Sequence, residues 1–345
     1  IYDTDDSKRV MKEVLRILDI DEKRLPVKFV LSEISKAKDS LMTPRDYIES
    51  AGYDNNKKLI GQAFEKYENM LKNADAMDFD DTIVNAVKLL KENPDVLSYY
   101  QNRFRYVMVD EYQDTNQAQY MLTSLLAGGY KNICVVGDDD QSIYRFRGAT
   151  IENILSFEKQ YRGSRTIRLE QNYRSTQSIL NAANAVIAHN LGRKGKRLWT
   201  ANGAGSPITV YEASDESAEA NYVAGQIISG SKGKNFKDYA ILYRTNAQSN
   251  ALEFAFKRNA IPYRVIGGTR FFDRAEVKDM LSYLCIINNR ADDLRLKRII
   301  NNPPRGLGPK TIETAQRLAE AEHKPLYSVI SDPYSYGPLE KPAIK

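Results

Sequence analysis

The period of the apolar residues changes along the chain, and the changes divide it. Up to about residue 104, segments such as "DDSKRVMKEVLRILDI", "PVKFVLSEISKAKDSL" and "KLIGQAFEKYENMLKNA" place apolar residues three and four apart, with turn signals between them. That spacing predicts helices throughout, with Val10, Val14, Leu15 and Leu18 as a core stripe. Then "YVMVD" (106–110) and "NICVVGDDD" (132–140) appear as short continuous apolar runs that end in acids, separated by a helix-like stretch from Gln117 to Leu126. A third run, "RTIRLEQNYRS" (165–175), leads into the helical "TQSILNAANAVIAHN". Strand, helix, strand in that order, with strands apolar on both faces, predicts a parallel α/β sheet with crossover helices. After the glycine-rich "ANGAGSP" (201–207), a strand "ITVYEA", a helix over 216–229 and a strand "DYAILYR" predict a second α/β unit. From about Gly268 the pattern is helical again, through "RAEVKDMLSYLCIIN", "DDLRLKRIIN" and "GPKTIETAQRLAEA". There is no internal repeat and no low-complexity segment.

Composition narrows the class. A chain of 345 residues has room for two or three domains with their own cores. The balance of 42% hydrophobic and 28% charged residues is that of a soluble globular protein, and no apolar run is long enough to cross a bilayer. The start, "IYDTDDSKRV", has no initiator Met and no apolar targeting core, so Ile1 reads as an internal residue of a longer protein. Cys134 and Cys285 are far apart and only two His are present, which argues against a disulfide framework and zinc chemistry and for a reducing compartment. A net charge of +5 is compatible with a polyanionic partner without requiring one.

The candidate chemistry follows the strands. In open α/β sheets ligands bind beyond the carboxyl ends of the strands, where Asp110 and Glu111 stand after Val109. An Asp there can hold Mg²⁺ while the adjacent Glu orients and deprotonates a water; the plain alternative is a solvated acidic loop. The second strand ends in "GDDDQSIYRFRGA", where Gln141 can meet a γ-phosphate or the attacking water. The following alternation suits single-stranded nucleic acid, with Tyr144 and Phe146 offering faces to bases and Arg147 meeting a phosphate; the alternative is an amphipathic strand with its aromatics in the core. The third run ends in Tyr173 and Arg174, and an arginine there can act as a finger on a transferring phosphoryl group or form a surface ion pair.

Taken in order and spacing, "VDEYQD", "GDDDQSIYRFRGA" and "LEQNYRS" resemble the central motifs of superfamily 1 DNA helicases of the UvrD/PcrA/Rep type. "SLMTPRDYIES" and "MDFDD" resemble the helical insertion of that family's first motor, "ILYRTNAQS" part of its second motor, and "RFFDRAEVKDMLSYL" and "NPPRGLGPKTIE" the insertion in the second motor. The resemblance implies RecA-like parallel-sheet motor domains of the P-loop NTPase type with all-helical insertions: residues 1–104 as the first insertion, 105–170 as the C-terminal part of the first motor, 171–267 as the first part of the second, and 268–345 as the start of its insertion. It implies ATP and Mg²⁺ as cofactors, with Asp110 and Glu111 at the metal, Glu111 as catalytic base, and Gln141 and Arg174 sensing and stabilising the γ-phosphate. Tyr173 would stack near the adenine. Tyr144, Phe146, Arg147, Phe79 and Asn246 would line a single-strand path. Relatives commonly carry Trp where Phe146 stands, so the stacking face is kept with less area. The implied activity is 3′-to-5′ DNA unwinding in repair or replication, on single strands and single/double-strand junctions, in the cytoplasm at the nucleoid, with no membrane partner.

The phosphate-cradling loop G-x-x-x-x-G-K-[ST] does not occur; "GRKGKR" and "GLGPKT" have the wrong spacing. In the resembled family that loop precedes the first helical insertion, so the expectation is an internal piece of a helicase. "RGLGPKT" has two equal readings. Gly306, Gly308 and Lys310 either open a helix whose N–H groups take a duplex phosphate, as the resemblance implies, or make a tight interhelical turn. Trp199 reads as packing, and the basic run Arg193, Lys194, Lys196, Arg197 beside it as a possible phosphate contact. Two rivals stand: a non-enzymatic nucleic-acid-binding scaffold related to helicases, which would need none of Asp110, Glu111, Gln141 and Arg174, and the motor part of a helicase–nuclease subunit.

Overall fold

The computed structural model describes residues 1–190, 192–231, 235–266 and 275–339, apart from the side chains of Arg147 and Pro338. The expected helical onset at Gly268 and the first residues of "RFFDRAEVKDMLSYL" lie outside the described residues. The chain forms two compact units, one of residues 1–169, 187–197 and 278–345, the other of residues 170–186 and 198–277.

The first unit begins with six helices, α1 (Thr4–Ile17), α2 (Val27–Asp39), α3 (Pro44–Ser50), α4 (Asn55–Asn73), α5 (Phe79–Glu92) and α6 (Pro94–Arg103). Their starts are written in the sequence as caps. Asp3, Thr43 and Asp78 each accept a backbone N–H of the first turn, while Asp6, Asp46 and Asp81 reach back to close a capping box. The apolar stripes meet in one core, in which Met11, Val14 and Leu15 of α1, Val30 and Ile34 of α2, and Ile60, Phe64, Tyr67 and Leu71 of α4 are buried. Each such side chain contributes roughly 1.5–3 kcal/mol by leaving water. The expected stripe holds, with Val10 buried and Leu18 packed at its margin.

The period change at residue 105 is a real change of structure. β1 (Val107–Val109) pairs in parallel with β2 (Ile133–Val135), in the register Val107↔Ile133, Met108↔Cys134 and Val109↔Val135, with α7 (Gln117–Ala127) as the connection. Continuous apolar runs predict burial on both faces. Here Met108 and Cys134 are exposed, whereas Val107, Val109, Ile133 and Val135 are half-buried. Short helices α8 (Glu152–Leu155) and α9 (Phe157–Gln160) follow.

The second unit holds α10 (Gln177–Ile187) for most of its length, α11 (Glu216–Ser231) and α12 (Ser249–Arg258). Ala220, Ala224 and Ile227 of α11 pack on Ala255, Phe256 and Ile261. The strands expected at "ITVYEA" and "DYAILYR" are not formed, and neither is the one expected at "RTIRLEQNYRS", whose only pairing among the described residues is an isolated parallel bridge between Gln171 and Trp199. Alternating apolar residues make a strand only when a second backbone takes up their N–H and C=O groups. The described residues supply none to these runs, and Val210 and Leu242 stay exposed. Trp199 is itself 47% exposed, against the expectation of packing.

The last four helices are α13 (Ala275–Asn288), α14 (Asp293–Ile299), α15 (Pro309–Ala321) and α16 (Leu326–Ser331). They share a core of Ile286, Leu296, Ile299, Ala315, Ala319, Leu326 and Val329. Polar contacts tie α14 to the chain start, where the Tyr2 hydroxyl donates to Asp292 Oδ1 at 2.6 Å, Arg295 pairs with Asp6 at 3.0 Å and Lys297 with Glu13 at 3.1 Å.

Candidate active site

Asp110 and Glu111 leave the end of β1 and are exposed. Glu111 takes the left-handed conformation, φ 50° and ψ 41°, which is uncommon for a residue with a Cβ and costs on the order of 1–3 kcal/mol. The neighbours hold it there. The Tyr112 N–H donates to Val136 O at 2.9 Å, extending the parallel ladder past the strand ends, and the Tyr112 ring is fully buried, edge-on to Phe157. Burial pushes the Tyr112 phenol well above its ordinary pKa. The Glu111 N–H donates to Asp110 Oδ1 at 2.9 Å.

Gln113 joins this loop to the one after β2. It is 1% exposed; its Nε2 donates to Glu111 Oε2 at 2.8 Å, and its Oε1 accepts the Asp138 N–H at 2.9 Å. The approach is so close that a Cβ on Gly137 would stand 2.6 Å from Gln113 Oε1 and 2.8 Å from Ile154 Cδ1, so glycine is required there. Neither Gln113 nor Gly137 stands out in the sequence. A Gln among acids carries no periodic signal, and its partner lies 25 positions away.

Gln141 ends the short turn Asp139–Gln141 and is exposed, with its Nε2 donating to Asp138 Oδ2 at 2.7 Å. The three carboxylates of Asp138, Asp139 and Asp140 converge within 4.8 Å, but they are already engaged by cations. Arg193 grips Asp140 with two hydrogen bonds of 2.7 and 2.6 Å, the Lys194 N–H donates to Asp139 at 2.8 Å, and Lys196 pairs with Asp138. Burial raises the Asp138 carboxyl, but Lys196 and Gln141 outweigh it and hold it below the usual carboxylate range. The basic run read as a possible phosphate contact thus sits on acids. Asp110 and Glu111, by contrast, carry no ion pair among the described residues. Of the two acidic groups, theirs is the oxygen donor set that fits a hard divalent cation.

Beside these loops lies a groove of about 580 Å³ lined by Ser32, Lys36, Asp39, Asp80, Asp114, Asn116, Tyr144 and Phe146, among others. Tyr144 and Phe146 present tilted rings 6.0 Å apart, with Phe146 69% exposed. The turn that carries them closes on Gly148 at φ 81°, where a Cβ would collide with Asp39 Oδ2. Asp39 is pushed up to about 6 by burial and by the charge of Asp80. Three carboxyl groups and the ammonium of Lys36 line the groove beside the two rings. Asp110, Glu111 and Gln141 do not line it. Phe79, first residue of α5, is 62% exposed.

Tyr173, Arg174 and Asn246 belong to the second unit, and all three are exposed. Asn172 Oδ1 accepts the N–H groups of Arg174 and Ser175 at 3.0 and 2.7 Å, which fixes the backbone turn that presents the arginine; the Tyr173 hydroxyl donates to Gln171. Asn246 opens the turn Asn246–Gln248, braced by Gln248 Oε1 accepting the Arg244 and Thr245 N–H groups. In the first unit, Gly306 is left-handed at φ 73°, and Gly308 caps α15 ahead of Pro309 and Lys310 at an ordinary φ of −69°. Nothing lies within 4 Å of a Cβ built on Gly308, so the fold itself does not require a glycine there.

The parallel β-α-β unit thus carries two carboxylates at the end of one strand and a glutamine turn at the end of the next, and the wider chain specifies its family. Residues 1–162 match the UvrD/REP helicase N-terminal domain and residues 167–332 the UvrD-like helicase C-terminal domain, so the chain belongs to the UvrD-type helicase family. It is 49% identical over 333 residues to the ATP-dependent DNA helicase PcrA of Staphylococcus epidermidis, and equally to that of Staphylococcus aureus. Those matches cover 96% of this chain and 46% of each relative, so the chain spans about half the length of the curated relatives it matches.

Proposed function

We propose that this chain is the central part of an ATP-dependent 3′-to-5′ DNA helicase that couples ATP hydrolysis to movement along single strands and to unwinding at single/double-strand junctions, in repair or replication. Its motors are RecA-like, with residues 105–170 and 171–267 contributing to the first and second, and 1–104 and 268–345 to their helical insertions. The observation that carries the reading is the pairing of exposed Asp110 and Glu111 after β1, which form no ion pair among the described residues, with Gln141 after the adjacent parallel β2.

Bound ATP with Mg²⁺ would supply the scissile phosphoanhydride and neutralise phosphate charge. Asp110, with Glu111 beside it, would hold the cation. Glu111 takes a proton from the attacking water, a role suited to a carboxylate with no ion-pair partner. Gln141 orients the water or the terminal phosphate, Arg174 stabilises charge developing on the transferred group, and Tyr173 stacks against the base. Tyr144 and Phe146, with Phe79, Arg147 and Asn246, take the single strand, and the Gly306–Lys310 turn takes a duplex phosphate. The work is cytoplasmic, at the nucleoid; no helix among the described residues is long and apolar enough to cross a membrane.

The test is unwinding by the full-length protein of partial duplexes with either a 3′ or a 5′ single-stranded tail. ATP-dependent unwinding of the 3′-tailed substrate alone is expected; absence of DNA-stimulated hydrolysis contradicts the reading.

A further inference from the structure

We propose that Gln113 is a positioning residue for the hydrolytic step, setting the Glu111 carboxylate relative to the loop that carries Gln141; this rests on the reading of Glu111 as the base. Glu111 is an exposed, left-handed residue, and its carboxylate is held by a hydrogen bond from Gln113. Gln113 is fully enclosed and joins the two loops: its amide nitrogen donates to Glu111 at 2.8 Å, with a longer hydrogen bond of 3.4 Å to Asp114 Oδ2, and its amide oxygen accepts the Asp138 N–H. Asp138 in turn accepts the Gln141 amide. A continuous chain of hydrogen bonds, Glu111–Gln113–Asp138–Gln141, therefore joins the proposed base to the proposed phosphate-sensing glutamine. Only a side chain with a donor and an acceptor on one rigid plane can serve both ends, and only glutamine has the reach. Ser142 Oγ donates to the Gln113 backbone carbonyl, and Gly137 leaves room for Gln113 Oε1 that a Cβ at that position would take.

Two substitutions in the full-length protein separate the ends. Gln113→Met keeps volume and loses both hydrogen bonds. Gln113→Glu keeps the acceptor for the Asp138 N–H and replaces the donor facing Glu111 with an oxygen. Both should lower kcat for ATP hydrolysis by on the order of 10- to 100-fold, the scale of a misplaced catalytic group, with KM for ATP within about threefold of wild type. On a Glu111→Gln background, Gln113→Met should lower kcat no further, because both changes act through the same carboxylate. A kcat within twofold of wild type in both single variants, or additive losses in the double variant, overturns the proposal. A normal kcat for Glu111→Gln alone would remove Glu111 from the base role, and a second readout then decides about Gln113. In a crystal structure of nucleotide-free Gln113→Met, the Glu111 carboxylate should have left its wild-type position. A carboxylate that stays in place overturns the positioning role whatever the turnover.

Discussion

Lys38 Nζ lies 2.8 Å from Asp78 Oδ2 and 2.7 Å from Asp81 Oδ1, so one buried ammonium on α2 holds both carboxylates of the box that starts α5. Lys38 is 2% exposed. Burial disfavours its charge, but Asp78, Glu68 and Asp81 outweigh that and hold the ammonium protonated far above its ordinary range. Lys38→Met would leave these carboxylates enclosed with no cation and should destabilise the chain by about 3–5 kcal/mol, read as a lower urea midpoint. An unchanged midpoint contradicts this account of α5. Because Phe79 follows Asp78 directly, the same variant should also weaken single-strand binding, whereas Phe79→Ala should weaken binding alone.

Asp39 gives a pH dependence of definite sign. Its carboxyl is pushed up to about 6 from an ordinary 3.8, chiefly by burial and then by Asp80. The folded chain therefore binds this proton more tightly than the unfolded chain. The associated stability is full below about pH 4 and is lost as pH rises through about 6. Asp39→Asn mimics the protonated form and still accepts from Asn116. Its melting temperature should equal that of wild type near pH 4 and exceed it above pH 6.5. A difference that is the same at every pH would exclude titration of Asp39 as its source.

Tyr144→Ala and Phe146→Ala should each weaken single-strand binding by roughly 1–3 kcal/mol if bases stack on these rings. Fluorescence titration against an oligonucleotide checks it. Unchanged affinity with a lowered melting temperature would instead mark the two rings as packing.

At the start of α15 the structure sharpens a comparison that the sequence left even. Gly308 has an ordinary φ and open space where a Cβ would go, so Gly308→Ala should leave the melting temperature unchanged. If the backbone there meets a duplex phosphate, the same change and Lys310→Ala should weaken duplex binding and spare single strands. Gly306→Ala, at φ 73°, should destabilise in any case and is the poorer probe. Wild-type duplex affinity in both Gly308→Ala and Lys310→Ala would leave the segment a plain turn.

Much of this architecture is legible without coordinates, and the exceptions have physical causes. Helical stripes such as Val10, Val14 and Leu15 predicted their own burial because a helix satisfies its backbone locally. The pair β1 and β2 was readable because both partners lie on either side of one short helix. The apolar runs at 208–213 and 238–244 predict strands because alternation reports side chains, whereas the pairing partner of a backbone leaves no mark in its own sequence. The burial of Lys38 leaves no mark in its own stretch of sequence, since its carboxylates stand 40 and 43 positions away. Asp110 and Glu111 stand out in the sequence by their place after β1; Gln113, which hydrogen-bonds Glu111, does not, because its other partner is Asp138, 25 positions away.

The central claim is that Glu111 performs the proton transfer in hydrolysis at the end of β1. The most direct measurement is single-turnover ATP cleavage by full-length Glu111→Gln, alongside equilibrium binding of a nucleotide analogue. The amide keeps the shape of the carboxylate and can still accept from Gln113, but it cannot take up the water's proton. Nucleotide affinity close to wild type with cleavage slowed by at least about 10²-fold is the predicted result. Cleavage at a near-normal rate contradicts it.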